Sequence, residues 1–406
     1  MVVRFAVIYL DNNATTQPSA LVVAAVARGL QELWQNPSSI HRGGQAARQA
    51  VELARASCAR LVGGKPREIV LTSGGTEAID LGIRGVLAAR RGGVVPTLVT
   101  SKVEHAAIRD LAEELERTKQ ASVKWLKLTS DGRIDLGGLD VIDASCGLVA
   151  VQWANNETGA IQPIGAIAKR CKEVGVPLLV DGTQWVGKLP TDVNSVDGVS
   201  EAIDLLVVSA HKFHGPKGVG FLWARQGVRM RPVLLGTQEL GRRGGTENVA
   251  GIVGMGAACE EAIGFVSDAA ERERVRELRD LFERAVLEAV PDARVNGPTG
   301  REGARDERLW NTTNIGFPGL EAEALLLLLS ERGVAASAGA ACSSGSLDPS
   351  PVLLAFGVRE AYAHGSLRFS LSKWTTRAEM EEAVRILVEC VGRVRRSSGS
   401  VGRSDQ

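Results

Sequence analysis

A lysine and an aspartate of this chain each follow a short apolar run, and their types suit carbonyl chemistry. Lys212 lies shortly after the run Leu205–Val208, and Asp181 directly follows the run Leu178–Val180. Such runs predict buried strands. A lysine beyond a buried strand is costly to desolvate unless it has a partner or a task. Its amine can form a Schiff base with pyridoxal phosphate, while the acid pairs with the pyridinium nitrogen.

A glycine-rich turn supplies a third part of such a site. The segment Ile69-Val-Leu-Thr-Ser-Gly-Gly-Thr-Glu77 predicts a strand, a turn and the start of a helix, whose free N–H groups can bind a phosphate. His105 follows another predicted strand and could stack on the cofactor or move protons, or could simply begin a helix. The chain lacks the Walker pattern and a clear Gly-x-Gly-x-x-Gly, so a nucleotide phosphate site is not expected.

The composition is that of a globular protein. The 406 residues are 44% hydrophobic, and 48 basic residues offset 47 acidic ones, for a net charge of +1. This balance predicts no general affinity for nucleic acid or for membranes. Residues 1–10 are apolar but lack the long core and cleavage site of a signal peptide, so they predict a strand. We therefore expect a cytoplasmic protein.

The six cysteines are scattered along the chain without a Cys-x-x-Cys pair, so no metal site is predicted. In a cytoplasmic protein they are expected to be reduced thiols. Those in apolar or helical stretches are interpreted as core residues: Cys58, Cys146, Cys171, Cys259 and Cys390.

Strands alternate with helix-like stretches from about residue 45 to 260. The predicted strands are Ile69–Leu71, Thr97–Thr100, Leu148–Gln152, Leu178–Val180 and Leu205–Val208. This order is typical of an α/β domain, in which a mostly parallel sheet is flanked by helices. Polar segments follow the strands and should gather at one edge of the sheet, where such folds bind ligands.

After residue 260 the pattern becomes that of charged amphipathic helices. One predicted helix has its apolar positions at Val275, Leu278, Phe282, Ala285 and Ala289. Another begins at the capping box Thr376-Arg-Ala-Glu379 and has its apolar positions at Met380, Ala383, Val384, Leu387 and Val391. We predict a large domain at 15–260, a smaller α+β domain formed by 1–14 and 261–395, and a disordered tail at 396–406.

Several polar motifs follow one another in a characteristic order. They are Asp11-Asn-Asn-Ala-Thr-Thr16, Asn36-Pro-Ser-Ser-Ile-His41, Thr72-Ser-Gly-Gly-Thr-Glu77, Glu104-His105, Asn155-Asn-Glu-Thr-Gly159, Val180-Asp-Gly-Thr-Gln184, Ser209-Ala-His-Lys212, Arg242-Arg-Gly-Gly-Thr-Glu-Asn248, Ala341-Cys-Ser-Ser-Gly345 and Gly365-Ser-Leu-Arg-Phe-Ser370. In this order they resemble the cysteine desulfurases, a class V aminotransferase group of fold-type I pyridoxal phosphate enzymes. The resemblance runs from about residue 9 to 394 and is strongest to the NifS/IscS-like branch, which serves iron–sulfur cluster assembly.

The resemblance implies roles for the residues around the cofactor. Lys212 would form the Schiff base, and Asp181 would keep the ring nitrogen protonated so that the ring acts as an electron sink. Gln184 would bond the phenolic oxygen. His105 would stack on the ring and take part in proton transfer.

The resemblance also implies a phosphate site, a substrate site and a homodimer. The phosphate ligands would be Gly75, Thr76, Ser209 and His211, joined by Thr246 of the other subunit. Asn156 and Arg368 would hold L-cysteine, with the guanidinium clamping its carboxylate.

Cys342 decides which reaction the resemblance implies. Small residues surround it in Ser337-Ala-Gly-Ala-Ala-Cys-Ser-Ser-Gly-Ser346, which predicts a mobile, exposed loop. A thiolate there would attack the substrate sulfur, giving L-alanine and a persulfide that passes to an acceptor or scaffold protein. The alternatives are an aminotransferase or selenocysteine lyase of the same fold, or a cofactor-free scaffold.

Some positions depart from the family pattern. Gly182 stands where many relatives have alanine, which predicts looser packing beside the ring. Leu235-Gly-Thr-Gln-Glu239 replaces a more glycine-rich stretch near the expected dimer contact and substrate entrance, and Trp153 and Trp185 add bulk. These departures leave the substrate preference open.

Overall fold

A computed structural model describes residues 7–90, 95–299, 303, 305–338 and 348–401. The strands are β1 (Ile8–Tyr9), β2 (Ile69–Thr72), β3 (Thr97–Ser101), β4 (Ser122–Leu126), β5 (Cys146–Gln152), β6 (Leu178–Asp181), β7 (Ser195–Val196), β8 (Val199–Ser200), β9 (Leu205–Ser209), β10 (Gly220–Ala224), β11 (Arg294–Val295), β12 (Thr312–Gly316), β13 (Val334–Ala335) and β14 (Ser366–Ser370). The α-helices are α1 (Ala20–Gln31), α2 (Arg42–Leu61), α3 (Gly75–Arg90), α4 (Ala106–Arg117), α5 (Ile164–Val174), α6 (Val249–Ser267), α7 (Ala269–Ala289), α8 (Ala322–Glu331), α9 (Pro351–Ala355), α10 (Glu360–Ala363) and α11 (Arg377–Val401).

A seven-stranded sheet in the order β2-β10-β9-β6-β5-β3-β4 forms the centre of the larger part of the molecule. Its strands pair in parallel from β9 through β6, β5 and β3 to β4, while β10 runs antiparallel to both β9 and β2. Each predicted strand lies within one of these strands, so the prediction of a mixed, mostly parallel sheet is confirmed.

Helices cover both faces of this sheet, because its strands bury alternate residues on opposite sides. On β9, Leu206 and Val208 join one hydrophobic cluster with residues of α2, α5 and α6. Leu205 and Val207 face the other side and join a second cluster with residues of α3 and α4. The central strands are therefore apolar throughout, as the sequence predicted.

Helix α6 is apolar because it is packed inside the molecule. Among the described helices it is long and apolar enough to cross a membrane, yet 56% of its apolar window is buried. It lies against α1 and α2 at small residues: a Cβ built on Gly29 would be 2.6 Å from Ala250 Cα, and one on Gly256 would be 2.8 Å from Ala54 Cβ. Close helix packing thus accounts for its composition.

A second, antiparallel sheet in the order β11-β12-β14 forms the smaller part, with α7, α8 and α11 packed around it. Helix α7 buries Val275, Leu278 and Phe282, as predicted, but continues the buried stripe at Val286. The predicted positions Ala285 and Ala289 are wrong: the first is half-buried and the second exposed. The larger valine side chain, one residue further on, is the one that fills the core.

The N-terminal segment belongs spatially to this second part. β1 pairs in parallel with β13, and Leu10 lies in the hydrophobic cluster of the smaller sheet. The prediction of a strand within residues 1–10 is confirmed for Ile8–Tyr9. Residues 11–16 then pass from the small sheet to the central sheet, where Thr16 bonds to the carbonyl of His211.

The last helix has the predicted capping box. The Thr376 backbone N–H donates to Glu379 Oε2 at 2.8 Å, and the Glu379 backbone N–H donates to Thr376 Oγ1 at 3.3 Å. Its buried face includes Met380, Leu387 and Val391. The helix extends to Val401, beyond residue 395, because helical bonding continues along an arginine- and serine-containing turn where the sequence predicted disorder.

Candidate functional site

Lys212 lies at the carboxyl edge of the central sheet, in a one-turn helix, Ala210–Lys212, that directly follows β9. Its Nζ donates to the backbone carbonyls of Asn13 at 2.7 Å and Ala14 at 2.9 Å. The N-terminal segment therefore binds the amine through neutral carbonyl oxygens, which keep it in place and leave its nitrogen available for chemistry once they are released.

Asp181 reaches the same edge because β6 is the parallel neighbour of β9 and ends with this residue. It is 4% exposed. Its Oδ1 accepts hydrogen bonds from the backbone N–H and the hydroxyl of Thr183. Its Oδ2 has no hydrogen-bond partner among the described residues, so one carboxylate oxygen remains to accept an N–H from a ligand.

His105 begins α4, and its Nδ1 accepts a hydrogen bond from the backbone N–H of Ala107 at 3.1 Å. This contact places the proton of the neutral ring on Nε2. Burial lowers the pKa of His105, with the nearby Asp181 carboxylate acting in the opposite direction. The structure thus brings His105, Asp181 and Lys212 within electrostatic reach of one another, as the sequence predicted.

Glu104 is a buried acid for which no role was predicted from the sequence. Its carboxyl accepts hydrogen bonds from the Ser101 hydroxyl and the Gln152 backbone N–H, each at 2.5 Å. Complete burial raises its pKa to about 8, and the charge of Asp181 adds to this rise. A buried, hydrogen-bonded Glu104 therefore lies within electrostatic reach of Asp181. The acid directly before His105 was the available sequence signal.

Two of the predicted phosphate ligands, Gly75 and Ser209, lie together at the start of α3. A Cβ built on Gly75 would lie 3.6 Å from Ser209 Cβ and 3.0 Å from Thr183 Cγ2, so the glycine is packed against the end of β9. The first N–H groups of α3 have no partners within the helix. His211 contacts Thr15 through Nδ1 and Oγ1 at 3.2 Å, and burial lowers its pKa to about 4.

Two further predicted phosphate ligands, Thr76 and Thr246, are exposed. Thr76 lies in the first turn of α3. Thr246 lies in the loop before α6. In the same loop, Arg243 forms an ion pair with Glu77 of α3, and the distance from Nε to Oε1 is 2.6 Å. The contact of Thr246 with a phosphate in another subunit stays a prediction.

Arg368 lies on β14 and is fully buried at the junction of the two sheets. Its Nη1 donates to the backbone carbonyl of Asn156 at 3.0 Å, and its Nη2 pairs with Asp11 Oδ1 at 2.6 Å. Its Nε is buried and has no hydrogen-bond partner among the described residues. A guanidinium with an unused donor next to the Lys212 region suits an incoming carboxylate. Asn156 enters the site through its backbone, and a role for its side chain stays a prediction.

Gln184 shares the Asn13 carbonyl with Lys212, and both the nitrogen and the oxygen of its amide make hydrogen bonds. Its Nε2 donates to the Asn13 carbonyl at 2.9 Å, and its Oε1 accepts from Lys188 Nζ at 2.6 Å. Neither Lys188 nor Asn13 was predicted as a site residue. Asn13 belongs to the motif Asp11–Thr16, whereas Lys188 lies in the turns after β6, where no repeating pattern indicates its contact with Gln184.

Among the described residues, no group of three or more His, Cys, Asp or Glu side chains is placed to hold a metal ion. The charged groups here instead suit an organic cofactor. One free carboxylate oxygen, one lysine amine, a free helix N-terminus and a spare guanidinium donor match the ring nitrogen, aldehyde, phosphate and substrate carboxylate of a pyridoxal phosphate site.

The aminotransferase class-V model matches residues 8–382, nearly the whole of both sheets. The chain belongs to the aminotransferase class-V family. It is 44% identical over 391 residues to a cysteine desulfurase of Nostoc sp. strain PCC 7120, covering 96% of this chain and 94% of that protein. It is 40% identical over 394 residues to the cysteine desulfurase NifS of Azotobacter vinelandii, with coverage of 96% and 94%. A solved structure of a NifS-like protein is also similar, with a TM-score of 0.85 and 32% identity over 95% of this chain and 99% of that one.

Cys342, the residue that sets the expected reaction within this aminotransferase class-V family, lies outside the described residues. The described residues on either side both contact the site. Ser337 exchanges backbone hydrogen bonds with Arg368, at 2.7 and 3.2 Å, and Ser350 Oγ donates to Glu157 Oε2 at 2.6 Å. The described residues on either side of the segment that carries Cys342 therefore contact Arg368, a predicted substrate residue, and Glu157, the neighbour of the other, Asn156. The other cysteines are all buried, as predicted.

Gly182 is tightly packed, so the expectation of loose packing at this departure from the family is wrong. A Cβ at this position would lie 2.7 Å from Leu206 Cδ1, 3.0 Å from Val186 Cγ2 and 3.1 Å from the Val207 carbonyl oxygen. Leu206 occupies the volume that an alanine methyl would need. Nearby, Trp153 and Trp185 stack on each other with ring centroids 4.5 Å apart. The space that these two large side chains need is therefore filled by their mutual contact.

We expect Gly182→Ala to lower the free energy of unfolding by about 1–3 kcal/mol, the usual cost of overpacking a core. Denaturant titration of the purified protein measures this change. The double variant Gly182→Ala with Leu206→Val should be more stable than Gly182→Ala alone, since the smaller side chain makes room for the methyl group. Additive losses in the double variant would contradict this account.

The buried side chain of His214 should make the free energy of unfolding decrease at acid pH. Its Nδ1 donates to the Gln17 carbonyl at 2.8 Å, and its ring lies 4.3 Å from that of Trp374. Burial lowers its pKa from 6.5 to about 4. The unfolded chain therefore takes up this proton at a higher pH than the folded chain, so the stabilising contribution present above pH 6.5 is lost as the pH falls toward 4.

We expect His214→Asn to reduce that loss by up to ~3 kcal/mol at the acid end. Asparagine tolerates the positive φ of 68° at this position and can keep the hydrogen bond to Gln17 without titrating. Urea titrations at several pH values between 4 and 7 give the free energy of unfolding of both proteins. A difference between them that does not change with pH would show that His214 does not titrate in this interval.

Proposed function

We propose that this chain is a cysteine desulfurase that removes sulfur from L-cysteine and releases L-alanine. The observation that carries the proposal is that Lys212 and Asp181 lie at the carboxyl edge of the central sheet, while Arg368 of β14 reaches the same region through its contact with Asn156. The similarity to cysteine desulfurases over nearly the full length supports the same reaction. The arrangement suits a substrate with an amino group, which meets the lysine side, and a carboxylate, which meets the arginine.

Pyridoxal phosphate would be the cofactor. When bound, it withdraws electrons from the Cα of an amino acid, so that a proton and then a leaving group can depart. Asp181 Oδ2 would accept the N–H of the ring, Gln184 would donate to the phenolic oxygen, and His105 would lie over the ring. The first turn of α3 with Gly75 and Thr76, together with Ser209 and His211, would hold the phosphate.

The protein groups divide the remaining work between binding and proton transfer. Arg368 binds the substrate carboxylate with its free Nε, while the carbonyl of Asn156 holds the guanidinium in place. Lys212 Nζ, released from the carbonyls of Asn13 and Ala14, takes the Cα proton and later returns it. Its position at the end of a rigid strand lets a single amine serve both steps.

Cys342 would receive the sulfur. Its thiolate attacks the sulfur of the substrate, a sulfur–sulfur bond forms and the carbon–sulfur bond breaks, with the electron pair passing to carbon. Protonation at carbon gives L-alanine and leaves a persulfide on Cys342. An acceptor protein for iron–sulfur cluster assembly or another thiolation pathway would then take the outer sulfur through one of its own thiolates.

The protein would act as a cytoplasmic homodimer. Exposed apolar side chains support a subunit contact: Leu235 is 85% exposed, Leu240 80% and Trp34 72%. The first two lie in a loop anchored by Glu239, whose carboxylate makes a bidentate contact with Arg55 at 2.6 and 2.8 Å. A rigid loop that holds large apolar residues in water suits burial against a second subunit.

One incubation tests the proposed reaction. The purified protein, loaded with pyridoxal phosphate, is given L-cysteine and a thiol reductant, and alanine and sulfide are measured. We expect both products in equal amounts. A keto acid in place of alanine would instead indicate an aminotransferase, and turnover of selenocysteine alone would indicate a selenocysteine lyase. Protein that binds no cofactor and turns over neither amino acid would leave only a scaffold role.

A further inference from the structure

Lys188 is a buried lysine whose acceptors are amide oxygens. It is 4% exposed, and its Nζ donates to Gln184 Oε1 at 2.6 Å and to Asn13 Oδ1 at 2.9 Å. Within the described ranges, no carboxylate forms an ion pair with it. Burial lowers the pKa of Lys188, and the charges of Lys212 and Arg368 add to this shift. A buried amine held so close to a predicted cofactor site calls for a function.

The contact with Lys188 determines which way the Gln184 amide faces. A glutamine amide can present either its oxygen or its nitrogen, whereas a lysine offers at least two N–H donors in either protonation state. With one N–H given to Asn13 Oδ1 and another to Gln184 Oε1, Lys188 holds the oxygen of Gln184 toward itself. The Gln184 Nε2 then faces the opposite side, where it donates to the Asn13 carbonyl at 2.9 Å. That same carbonyl accepts the hydrogen bond from Lys212 Nζ at 2.7 Å.

The local backbone makes this contact a fixed one. The Val186 N–H bonds to the Gly182 carbonyl at 2.8 Å, and the Lys188 N–H bonds to the Trp185 carbonyl at 3.0 Å. Residues 182–188 thus form consecutive turns, with Gly187 at a positive φ of 78°, and these turns bring Lys188 Nζ to the Gln184 amide. The backbone carbonyl of Lys188 also accepts a hydrogen bond from Trp310 Nε1 at 2.9 Å, which ties this turn to the smaller part of the molecule.

We propose that Lys188 is a positioning residue that orients the Gln184 amide so that Nε2 faces Lys212 and donates to the phenolic oxygen of the cofactor. This inference rests on the proposed function, because it concerns the cofactor bound at Lys212. A hydrogen bond donated to the phenolic oxygen stabilises its anionic form. The bound chromophore then loses its proton at a lower pH than it would without the donor.

Lys188→Met tests this proposal through the visible absorbance of the loaded protein. Methionine fills a similar volume but donates no hydrogen bond, so the Gln184 amide is free to turn. We expect the pKa read from the pH titration of the absorbance to rise by about one unit, since the amide is no longer held with Nε2 toward the phenolic oxygen. KM for L-cysteine should change less than kcat, because Lys188 does not touch the substrate.

A double-mutant cycle separates positioning through Gln184 from a direct effect of the charge. Gln184→Ala should also raise the pKa of the chromophore, and adding Lys188→Met to it should produce less than half of the shift that Lys188→Met gives alone. Fully additive shifts, or an unchanged titration in folded Lys188→Met, would overturn the proposal. Lys188→Gln keeps one donor for the Gln184 oxygen and should restore part of the wild-type titration.

Two controls keep the outcome decisive. If Lys188→Met does not fold, Lys188→Gln serves alone: its pKa should lie above that of the wild type, and an identical pKa would overturn the proposal. Wild-type protein that shows no chromophore dependent on Lys212 would instead refute the proposed function. A normal wild-type titration that Lys188 variants leave unchanged refutes only the role of Lys188.

Discussion

Lys212→Ala should give a folded protein that retains no cofactor after borohydride reduction and releases neither alanine nor sulfide from L-cysteine. Two independent losses produce this result, because the lysine both attaches the cofactor and moves the Cα proton. Loss of a proton-transferring group by itself costs roughly 10²–10⁴-fold in rate. With both losses, turnover should fall by at least about 10³-fold.

The structural reason for a large effect is the position of the amine. Lys212 follows a fully buried strand, and its Nζ is held at 2.7 Å by the Asn13 carbonyl, so a free amine in solution would not be placed equally well. Mass spectrometry of the borohydride-reduced protein measures the attachment, and product assays measure the rate. Lys217→Ala is the matched control, since Lys217 is the nearest other lysine along the chain and is exposed. Undiminished labelling of Lys212→Ala would assign the Schiff base to another lysine.

The part of the site that lies on strand ends could be predicted from the sequence for a physical reason. Parallel strands that are buried on both faces are apolar throughout, and their carboxyl ends meet at one edge. A polar residue directly after such a run, such as Asp181 or Lys212, must therefore lie at that edge. The predicted helix capped by Thr376 and Glu379 is a similar case, because its signal is local.

The remainder of the site depends on contacts between distant parts of the chain. Asn13 links three regions: its carbonyl binds Lys212, 199 residues away, and its side chain binds Lys188 and Thr312. No local pattern indicates such a residue, since only the closure of the small sheet onto the central sheet creates its contacts. Gly182 shows the same limit, because whether a methyl group fits there is decided by Leu206 on a neighbouring strand.

The electrostatic effect of Asp181 on Glu104 also could not be predicted from sequence patterns. An acid beside His105 is visible in the sequence, but its protonation depends on complete burial and on the distance to another carboxylate. With its pKa raised to about 8, Glu104 is mostly neutral at pH 7, while Asp181 accepts two hydrogen bonds from Thr183. Burial thus favours the neutral form of Glu104 beside Asp181, the predicted partner of the ring nitrogen.

Cys342→Ser should retain the cofactor yet lose sulfur transfer, which separates this residue from Lys212. A serine hydroxyl is almost fully protonated at neutral pH and is a much weaker nucleophile toward sulfur than a thiolate. Alanine and sulfide production from L-cysteine should therefore fall by at least roughly 10²-fold. The visible absorbance of the loaded protein should remain, because neither Asp181 nor Lys212 is changed.

A direct assay for the transferred sulfur makes this prediction specific. Wild-type protein given L-cysteine without reductant should carry one additional sulfur on Cys342, detectable by mass spectrometry after alkylation, and the variant should carry none. Cys390→Ala is the matched control, since Cys390 is buried in α11 and lies in the core of the smaller part. It should keep both turnover and persulfide. Equal turnover by Cys342→Ser and the wild type would mean that the sulfur leaves without a protein carrier, because the carbanion chemistry at Lys212 would then suffice to expel it.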